Sequence, residues 1–509
     1  MAVDLDVFVE PLRYPFMARA LLAGLSVGIA GAVIGSFLFV RRWSLLGDAI
    51  SHAVLPGVAI AYLFSWPYFW GALATALLTA VGIGFVERNT RIKSDAAMGI
   101  LFIGAFAAGL AVLSRVRSSV DVFHILFGNV LGVSQGDLLL TAAVGAGVVL
   151  LVGALFKELQ LWAFDPVTAQ VSGLPVGFLH YLVLVLLSAT IVSALRAVGI
   201  VLALAMLVTP PATAYLLTRR FSEMIVLAAA IGALSSVVGL YLSFYLDLAS
   251  GPAMVLVATA AFVLALLLAP EQGLVARGVQ RLRTARQVAE DDLLKALHEL
   301  CGRGAPVRLA ALQADTGLGR STLRRLVRRL RRAGLVEFGP GDEVRLLEPG
   351  VRRARGLIRS HRLWERYLTD VAGMPWESVH QEAHRLEHLT PPGLAAELAT
   401  ELGDPARDPH GAPIPTATGE LPATDDVALD GLGAGQRGLV MRVEDEDPVL
   451  LRRLKEAGIV PGAVVLVQRR EGRALYLQVG DDADDGRQDA ASTCRLRDDE
   501  AARVRVRPA

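Results

Sequence analysis

The sequence predicts a multi-domain protein: an all-α polytopic membrane domain of about nine helices, then an α+β winged helix-turn-helix, a helical domain and a small β-barrel. Three observations predict it. Residues 17 to 269 are dominated by Ala, Leu, Val and Gly and carry few charges. Residues 277 to 509 hold most of the Arg, Asp and Glu, so the net charge of +1 averages two unlike halves. A chain of 509 residues also exceeds what one hydrophobic core organises. The boundaries read as 1–275, 289–350, 351–424 and 425–509.

Hydropathy places spans, each near the ~20 residues a bilayer requires, at about 17–40, 48–65, 68–87, 96–114, 137–156, 178–195, 198–217, 222–245 and 252–269. Eight or ten spans fit the same profile, because the stretches beside WPY and Gly-Pro are ambiguous. Arg41, Arg42, Arg88, Arg91, Lys93, Lys157, Arg219, Arg220 and the cluster Arg277, Arg281, Arg283 and Arg286 fall on one side. Arg13, Arg115, Arg117 and Arg196 fall on the other. The positive-inside bias therefore makes the polar C-terminal half cytoplasmic and, with an odd span count, puts the N-terminus outside. The N-terminus lacks the pattern of a cleaved signal peptide, so the first span is expected to be retained. Cys301 and Cys494, far apart in the polar half, suit a reducing compartment and argue against a disulfide scaffold.

The run RRWSLLGDAISHAVLPG, residues 41–57, puts Asp48 and His52 on one helix face inside an apolar span. Ionisable groups at bilayer depth survive mainly where they line a polar pathway or pair with each other. Asp48 could instead cap the second span, helped by Gly47, but that leaves His52 unaccounted for. An oxygen and an imidazole suit Mn, Fe(II) or Zn better than Mg or Ca. Between spans, KELQLWAFDPVTAQVSGLPVG at 157–177 reads either as an amphipathic helix that docks on a partner or as a solvated connector.

Together, GDAISHAVLPG at 47–57, FDPVTAQVSGLP at 164–175 and VGIVLALAMLVTPPATAYLL at 198–217 resemble the permease subunits of metal ABC importers, the zinc, manganese and iron family, over about 15–270. The resemblance implies a homodimeric permease in the cell membrane, fed by an extracytoplasmic metal-binding protein and driven by a separate ABC ATPase subunit. The chain holds no Gly-x-x-x-x-Gly-Lys-Ser/Thr motif of its own. By position, the family's intramembrane acid and histidine fall on Asp48 and His52. The coupling segment falls on Asp165, Ala169, Gly173, Leu174 and Pro175, and Pro210 and Pro211 mark an expected break in their helix.

In the polar half, the helical stripe from Ala289, RLAALQADTG at 308–317, and GRSTLRRLVRRLRRAGL at 319–335 read as three helices. VEFGPGDEVRLL reads as a two-stranded wing, which completes a winged helix-turn-helix. Either Ser321 caps the third helix or Arg320 begins it. Leu323, Leu326, Val327 and Leu330 would be buried, leaving Arg320, Ser321, Thr322, Arg324, Arg325 and Arg328 facing outward for DNA. A solvated basic face, or one attracted to the anionic inner leaflet, is the alternative. Further on, His361 and Glu365 are spaced i, i+4, and His380, His384, Glu387 and His388 fall on one face of one helix. Four His and two Glu that converge point to a metal, and without thiolates they favour Mn, Fe(II) or Zn.

Wing, histidine cluster and the tract GDPARDPHGAPIP at 403–415 resemble the metal-dependent repressors of the diphtheria toxin repressor family over 289 to about 415. The resemblance implies a metal-binding and dimerisation domain with ligands at Asp291, His361, Glu365, His380, His384, Glu387 and His388. Leu294 stands where manganese-type members have a second acid, and His384 where others have Cys or Glu. Residues 425–509 read as strands broken by one helix and resemble the SH3-like barrel of the ferrous-iron transport protein A type, with Asp447 a candidate extra carboxylate. GDDADDGRQDAAS at 480–492 reads as a disordered loop.

The expectation is thus a permease subunit for a divalent transition metal, not an enzyme, carrying a cytoplasmic metal sensor. The sensor would bind operator DNA, would inhibit transport when metal is plentiful without binding DNA, or would simply be joined to an independent permease.

Overall fold

The computed structural model describes residues 9–114, 130–301, 305–422, 424–444, 447–480 and 492–509. Arg115, Arg117 and residues 481–491 of the acidic insert lie outside the described residues. The chain divides into two compact units, Met1–Gln280 and Arg281–Ala509.

Among the described residues of the first unit, nine helical segments have the length and hydropathy to cross a membrane. They comprise α1 (Pro15–Val40), the pair α2 (Leu46–Ala53) and α3 (Leu55–Leu63), α4 (Tyr68–Asn89) and α5 (Ser94–Leu113). After α6 (Gln135–Ala154) come two short helices, α7 (Phe156–Phe164) and α8 (Pro166–Val171). The set closes with α9 (Val176–Val198), α10 (Ile200–Leu217), α11 (Phe221–Leu246) and α12 (Ser250–Leu268). Small residues set the packing, as expected where lipid supplies no hydrophobic drive between helices. A Cβ built on Gly28 would lie 2.7 Å from the Gly232 carbonyl oxygen, and one on Gly232 2.4 Å from that of Gly28, so α1 and α11 touch backbone to backbone. Ser236 reinforces the seam by donating to the Gly24 carbonyl at 2.9 Å.

Two features differ from the sequence reading. The second span is divided at Val54, just before Pro56, where Gly109 of α5 packs against the Pro56 nitrogen. The expected break at Pro210 and Pro211 does not occur, and α10 runs through both. Pro211 brings no N–H to the Leu207 carbonyl, and that oxygen lies against Gly35 of α1, where a Cβ would sit only 1.9 Å away. A bare Cα there lets α1 approach α10 closely at the proline step.

The second unit begins within helix α13 (Leu274–Cys301), which is longer than expected and includes Arg277, Arg281, Arg283 and Arg286. Then come β1 (Val307–Arg308), α14 (Leu309–Thr316), α15 (Arg320–Arg332), β2 (Val336–Gly339) and β3 (Glu343–Leu346). The wing is a sheet of order β1-β3-β2, one short strand more than the predicted hairpin, with Val336 opposite Leu346 and Val307 opposite Val344. Arg320 begins α15, and Gly319 precedes it without a side-chain cap. Leu293, Leu297, Leu312, Leu323, Val327 and Leu330 form the core of this part. Leu294, at the position where manganese-type members of the resembled family have a second acid, is fully buried among them.

Helices α16 (Glu348–Asp370), α17 (Val379–Glu387) and α18 (Pro392–Glu401) follow, then β4 (Val427–Ala428), β5 (Arg437–Val443), α19 (Pro448–Glu456), β6 (Val464–Glu471), β7 (Ala474–Gly480), β8 (Ser492–Arg497), α20 (Asp498–Ala501) and β9 (Val504–Pro508). The expected closed SH3-like barrel is not what forms. The strands make an open antiparallel sheet of order β4-β9-β5-β6-β7-β8, and among the described residues no pairing joins its edges β4 and β8. Closure needs matched edges, whereas β4 offers two residues, both paired to β9. The apolar face is sealed instead by Leu450, Leu451 and Leu454 of α19 and by Trp376 from the helical part.

Candidate metal centres and macromolecular interfaces

In the membrane unit, the i, i+4 spacing brings Asp48 Oδ1 and His52 Nε2 to 3.5 Å on α2. Asp48 sits in the first turn of α2 but makes no capping bond, so the cap reading does not describe it. The His52 ring faces Phe102 and Phe106 of α5 at 5.6 and 5.9 Å. A carboxylate and an imidazole thus meet beside the helix break at Val54, with aromatic faces behind them.

The 157–177 segment folds as α7 and α8 with a sharp turn at Asp165. Asp165 Oδ1 accepts from the N–H groups of Val167 at 3.1 Å and Thr168 at 2.9 Å, while the Thr168 hydroxyl donates to Oδ2 at 2.5 Å. The Thr168 bonds hold the Asp165 carboxyl below the usual carboxylate range. Ala169 is fully buried, Gly173 adopts φ 82°, and Val167 and Val171 are exposed at 72% and 84%. A rigid cap therefore presents apolar side chains outward on a segment between membrane spans. Leu174 is half-buried, and Pro175 precedes α9.

Among the described residues of the second unit, histidines and acids gather into three clusters, Asp292/His384/Glu387/His388, His361/Glu365/His380 and Glu365/Asp408/His410, each with ligand atoms within 4.8 Å of one another. Helix α13 supplies Asp292, α16 supplies His361 and Glu365, and α17 supplies His380, His384 and Glu387, with His388 at its C-cap. Glu387 and His361 join the first cluster to the second: His361 Nδ1 lies 2.5 Å from Glu387 Oε2, and Nε2 lies 3.0 Å from Glu365 Oε1. His380 Nδ1 is 3.1 Å from the same Glu365 oxygen, and His410 Nδ1 is 3.7 Å from Oε2.

Charge is held tightly in this buried network. Burial opposes ionisation of Glu387, yet His361 and Lys295 bring its pKa down to about 2. Glu365 is likewise well below the ordinary value, burial being outweighed by its bonds to His361, His380 and His410. Burial disfavours the His388 imidazolium, but Asp291 and Asp292 raise its pKa to about 9. Asp408 moves the other way, up to about 6, through burial and the neighbouring Glu365 charge.

The donor set fits a transition metal on an independent ground. Asp292 Oδ1 and both ring nitrogens of His388 are buried with no hydrogen-bond partner among the described residues, although His388 Nε2 stands 3.2 Å from Asp292 Oδ1. Buried polar atoms are rarely left so, and a carboxylate oxygen with imidazole nitrogens is what Mn, Fe(II) and Zn take. Asp291, the acid singled out in the sequence, receives Arg353 at 2.7 Å and lies 3.7 Å from His388, one step outside the cluster that its neighbour Asp292 enters. Asp408 and His410, buried in the 403–415 tract, were not singled out; the signal was an acid and a histidine flanking Pro409. Asp447 caps α19 by accepting from the Val449 N–H at 2.9 Å and joins none of the clusters.

On α15, Arg320, Ser321, Arg324, Arg325 and Arg328 are exposed and Thr322 is half-buried, opposite the buried Leu323, Leu326, Val327 and Leu330. Arg320 and Arg324 both reach the wing: their guanidinium groups donate to Asp342 at 2.9 and 2.8 Å. Asp342 holds φ 61° in the turn between β2 and β3.

The family model described as the ABC 3 transport family matches residues 13–269, the whole helical bundle. The chain belongs to that family. Manganese transport system membrane protein MntC of Listeria monocytogenes is 52% identical over 269 residues, 53% of this chain and 96% of that protein. Chelated iron transport system membrane protein YfeD of Yersinia pestis is 43% identical, over 51% of this chain and 87% of its own. The solved structure of PsaBC from Streptococcus pneumoniae in complex with Fab shares 41% identity, covering 53% of this chain and 97% of its own, with TM-score 0.48. Beyond the ABC 3 region, residues 292–340 match an IclR helix-turn-helix domain. Residues 348–416 match an iron dependent repressor metal binding and dimerisation domain, and 427–508 a FeoA domain. A manganese-dependent transcriptional repressor in complex with manganese is 31% identical, covering 43% of this chain and all of its own, with TM-score 0.39. This member of the ABC 3 family is therefore a multi-pass membrane protein, not an enzyme, with a regulator-type module in its cytoplasmic half.

Proposed function

We propose that the chain is the permease subunit of an ABC importer for a divalent transition metal and that its cytoplasmic half senses the same metal and binds DNA. The observation that carries the reading is a single chain with two metal-suited constellations, Asp48 and His52 within the bundle, and Asp292, His384, Glu387 and His388 in the cytoplasmic unit, where Asp292 Oδ1 and the His388 ring nitrogens are buried without a hydrogen-bond partner among the described residues. Metal-transport names among relatives of the first half, and a manganese repressor similar to the second, support it.

In the permease, an extracytoplasmic metal-binding protein delivers the ion, Asp48 and His52 contact it in passage, and a separate ATPase subunit seats on the α7–α8 segment. Asp165 fixes that segment's shape, and Val167 and Val171 are its apolar contacts. Two copies of the chain form the pathway.

In the sensor, Asp292, His384, Glu387 and His388 hold one ion, and Glu365 with His361, His380, Asp408 and His410 offers further places. Bound there, the ion would supply positive charge between Asp292 of α13 and His384 and Glu387 of α17, and these residues would then hold the winged helix to the dimerisation helices. Arg325 and Arg328 then meet phosphates, while Arg320 and Arg324 are steadied by Asp342.

The test is calorimetric titration of the purified protein with Mn(II), Fe(II) and Zn(II), beside a His384→Ala, His388→Ala variant, followed by DNA binding at several salt concentrations. Binding lost in the variant, and metal-dependent DNA affinity that falls steeply with salt, are expected. Metal binding without DNA binding, accompanied by metal-dependent loss of ATPase activity in the assembled transporter, would replace the DNA reading with an autoinhibitory one. Titration curves identical for both proteins would overturn the sensor.

A further inference from the structure

Lys295 lies one turn beyond Asp291 and Asp292 on α13 and points its ammonium at Glu387. Its Nζ donates to Oε1 at 2.8 Å and to Oε2 at 3.0 Å, and the Glu387 side chain is wholly buried. Oε1 is also the oxygen that His384 Nδ1 approaches at 3.2 Å and His388 Nε2 at 3.4 Å. One carboxylate oxygen is thus offered both to a tethered cation and to the donor set suited to a free one. A divalent ion and an ammonium on the same oxygen repel strongly in a poorly solvated site. The lysine has an exit. Its side chain keeps 16% of its exposure and borders an open cavity of about 610 Å³, which Asp292, Glu299, His380 and His384 also line. Glu299 follows Lys295 at i+4, the spacing at which a lysine and a glutamate meet on a helix surface.

We propose that Lys295 is an internal competitor for the metal: its ammonium occupies Glu387 until an arriving divalent ion displaces it toward Glu299, and this exchange raises the metal concentration at which the sensor fills. The proposal rests on the metal-site reading above. Without an ion, the ammonium neutralises a carboxylate that would otherwise be buried beside Glu365 with only imidazoles for partners. With one, the same carboxylate becomes a ligand. The lysine therefore keeps the empty module folded and weakens its metal affinity by the same contact. A neutral side chain at 295 would leave Glu387 fully available.

The experiment is calorimetric titration with Mn(II) alone of the full-length protein in detergent, comparing wild type with Lys295→Met, Lys295→Gln and Lys295→Arg. The His384→Ala, His388→Ala variant identifies the ions that belong to this site. Thermal melts in chelator report whether each variant is folded; Lys295→Gln, which keeps an N–H donor toward Glu387, replaces Lys295→Met if the latter does not fold. The expected result is that the neutral variants bind about 10- to 100-fold more tightly, the range for releasing the one charge-assisted hydrogen bond on the shared oxygen Oε1, whereas Lys295→Arg stays near wild type. Melting in chelator should fall in the neutral variants, and the rise on adding Mn(II) should exceed that of wild type. Affinity unchanged or weakened in the neutral variants would overturn the competitor role while leaving the site standing. No binding that depends on His384 and His388, in wild type or in any Lys295 variant, would overturn the site and the competitor together. Binding gained only in the neutral variants would show the ammonium excluding the ion outright, the strongest form of the proposal.

Discussion

Replacing His361 with Ala tests whether the buried network is held by its imidazole. The side chain lies between two nearly inaccessible carboxylates, Glu387 at 2.5 Å and Glu365 at 3.0 Å. Burial disfavours its charged form, yet bonds to Glu365 and Glu387 raise its pKa above the ordinary value. Each lost charge-assisted bond costs about 1.5–3 kcal/mol when the partner stays buried. The lower end applies here, because Glu387 keeps Lys295 and Glu365 keeps His380. Two such losses give about 3 kcal/mol, or about 6–12 °C in Tm for a domain of this size. The assay is a calorimetric melt of an Arg281–Ala509 fragment in chelator, wild type against His361→Ala, at pH 6. Manganese should then raise the variant's Tm less than the wild type's, since one of the His361/Glu365/His380 set is gone. A drop smaller than about 3 °C in chelator would refute the reasoning, because it would mean that both carboxylates find equal partners without the imidazole.

The same fragment should show a bounded pH range of metal-free stability. His388, raised to about 9, contributes fully below its unfolded value near ~6.5 and loses that contribution as pH rises through 9. Glu387, lowered to about 2, contributes above its unfolded value near ~4.3 and loses it as pH falls toward 2. These two contributions coincide between about pH 4.5 and 6.5, while Asp408, raised to about 6, gives up its own as pH climbs from its unfolded value near ~3.9 through 6, so Tm in chelator should be highest toward the acid end of that window; a profile still rising through pH 9 would contradict it. In the membrane unit, Gly35→Ala puts a Cβ 1.9 Å from the Leu207 oxygen, so α1 and α10 must separate; detergent-extracted protein should lose most of its monodispersity by size exclusion. Asp165→Ala removes the acceptor of the Val167 and Thr168 N–H groups, a cap loss of about 1 kcal/mol. ATP-driven uptake should fall while the spans stay folded, which circular dichroism alongside transport would show. Arg328→Ala should lower the slope of log affinity against log salt on DNA by about 1, and an unchanged slope would remove that residue from the phosphate interface.

Much of the architecture can be read from the chain because it depends on local pattern. Apolar runs of bilayer length, the i, i+4 pairing of Asp48 with His52, and the buried stripe of Leu323, Leu326, Val327 and Leu330 need no tertiary information. What could not be read depends on partners distant in sequence. Asp291 and Asp292 are adjacent and chemically alike; which one enters the cluster is decided by how Leu293, Leu294 and Leu297 seat α13 in the core. Asp408 and His410 reach Glu365 only because the 403–415 tract folds back, with Asp408 accepting from the Ala412 N–H at 2.9 Å and His410 stacked on Trp376. Strand alternation shows which residues pair, not whether a sheet closes, so a barrel was the expectation for what is an open sheet. The close approach of α1 to the proline step of α10 turns on Gly35, about 175 positions earlier in the chain.

The three cytoplasmic clusters are not separate containers. Glu365 belongs to two of them, and His361 touches both Glu365 and Glu387. Sites that share a ligand are thermodynamically linked: whatever factor one ion imposes on the affinity of the next, the next imposes on the first. Glu365 serves the two clusters with different oxygens, Oε1 toward His361 and His380 and Oε2 toward His410, so on the proposed sensor reading ions in both would be bridged by one carboxylate and saturation would depart from a simple hyperbola. The proposed dose response would then be set by the sharing of one carboxylate.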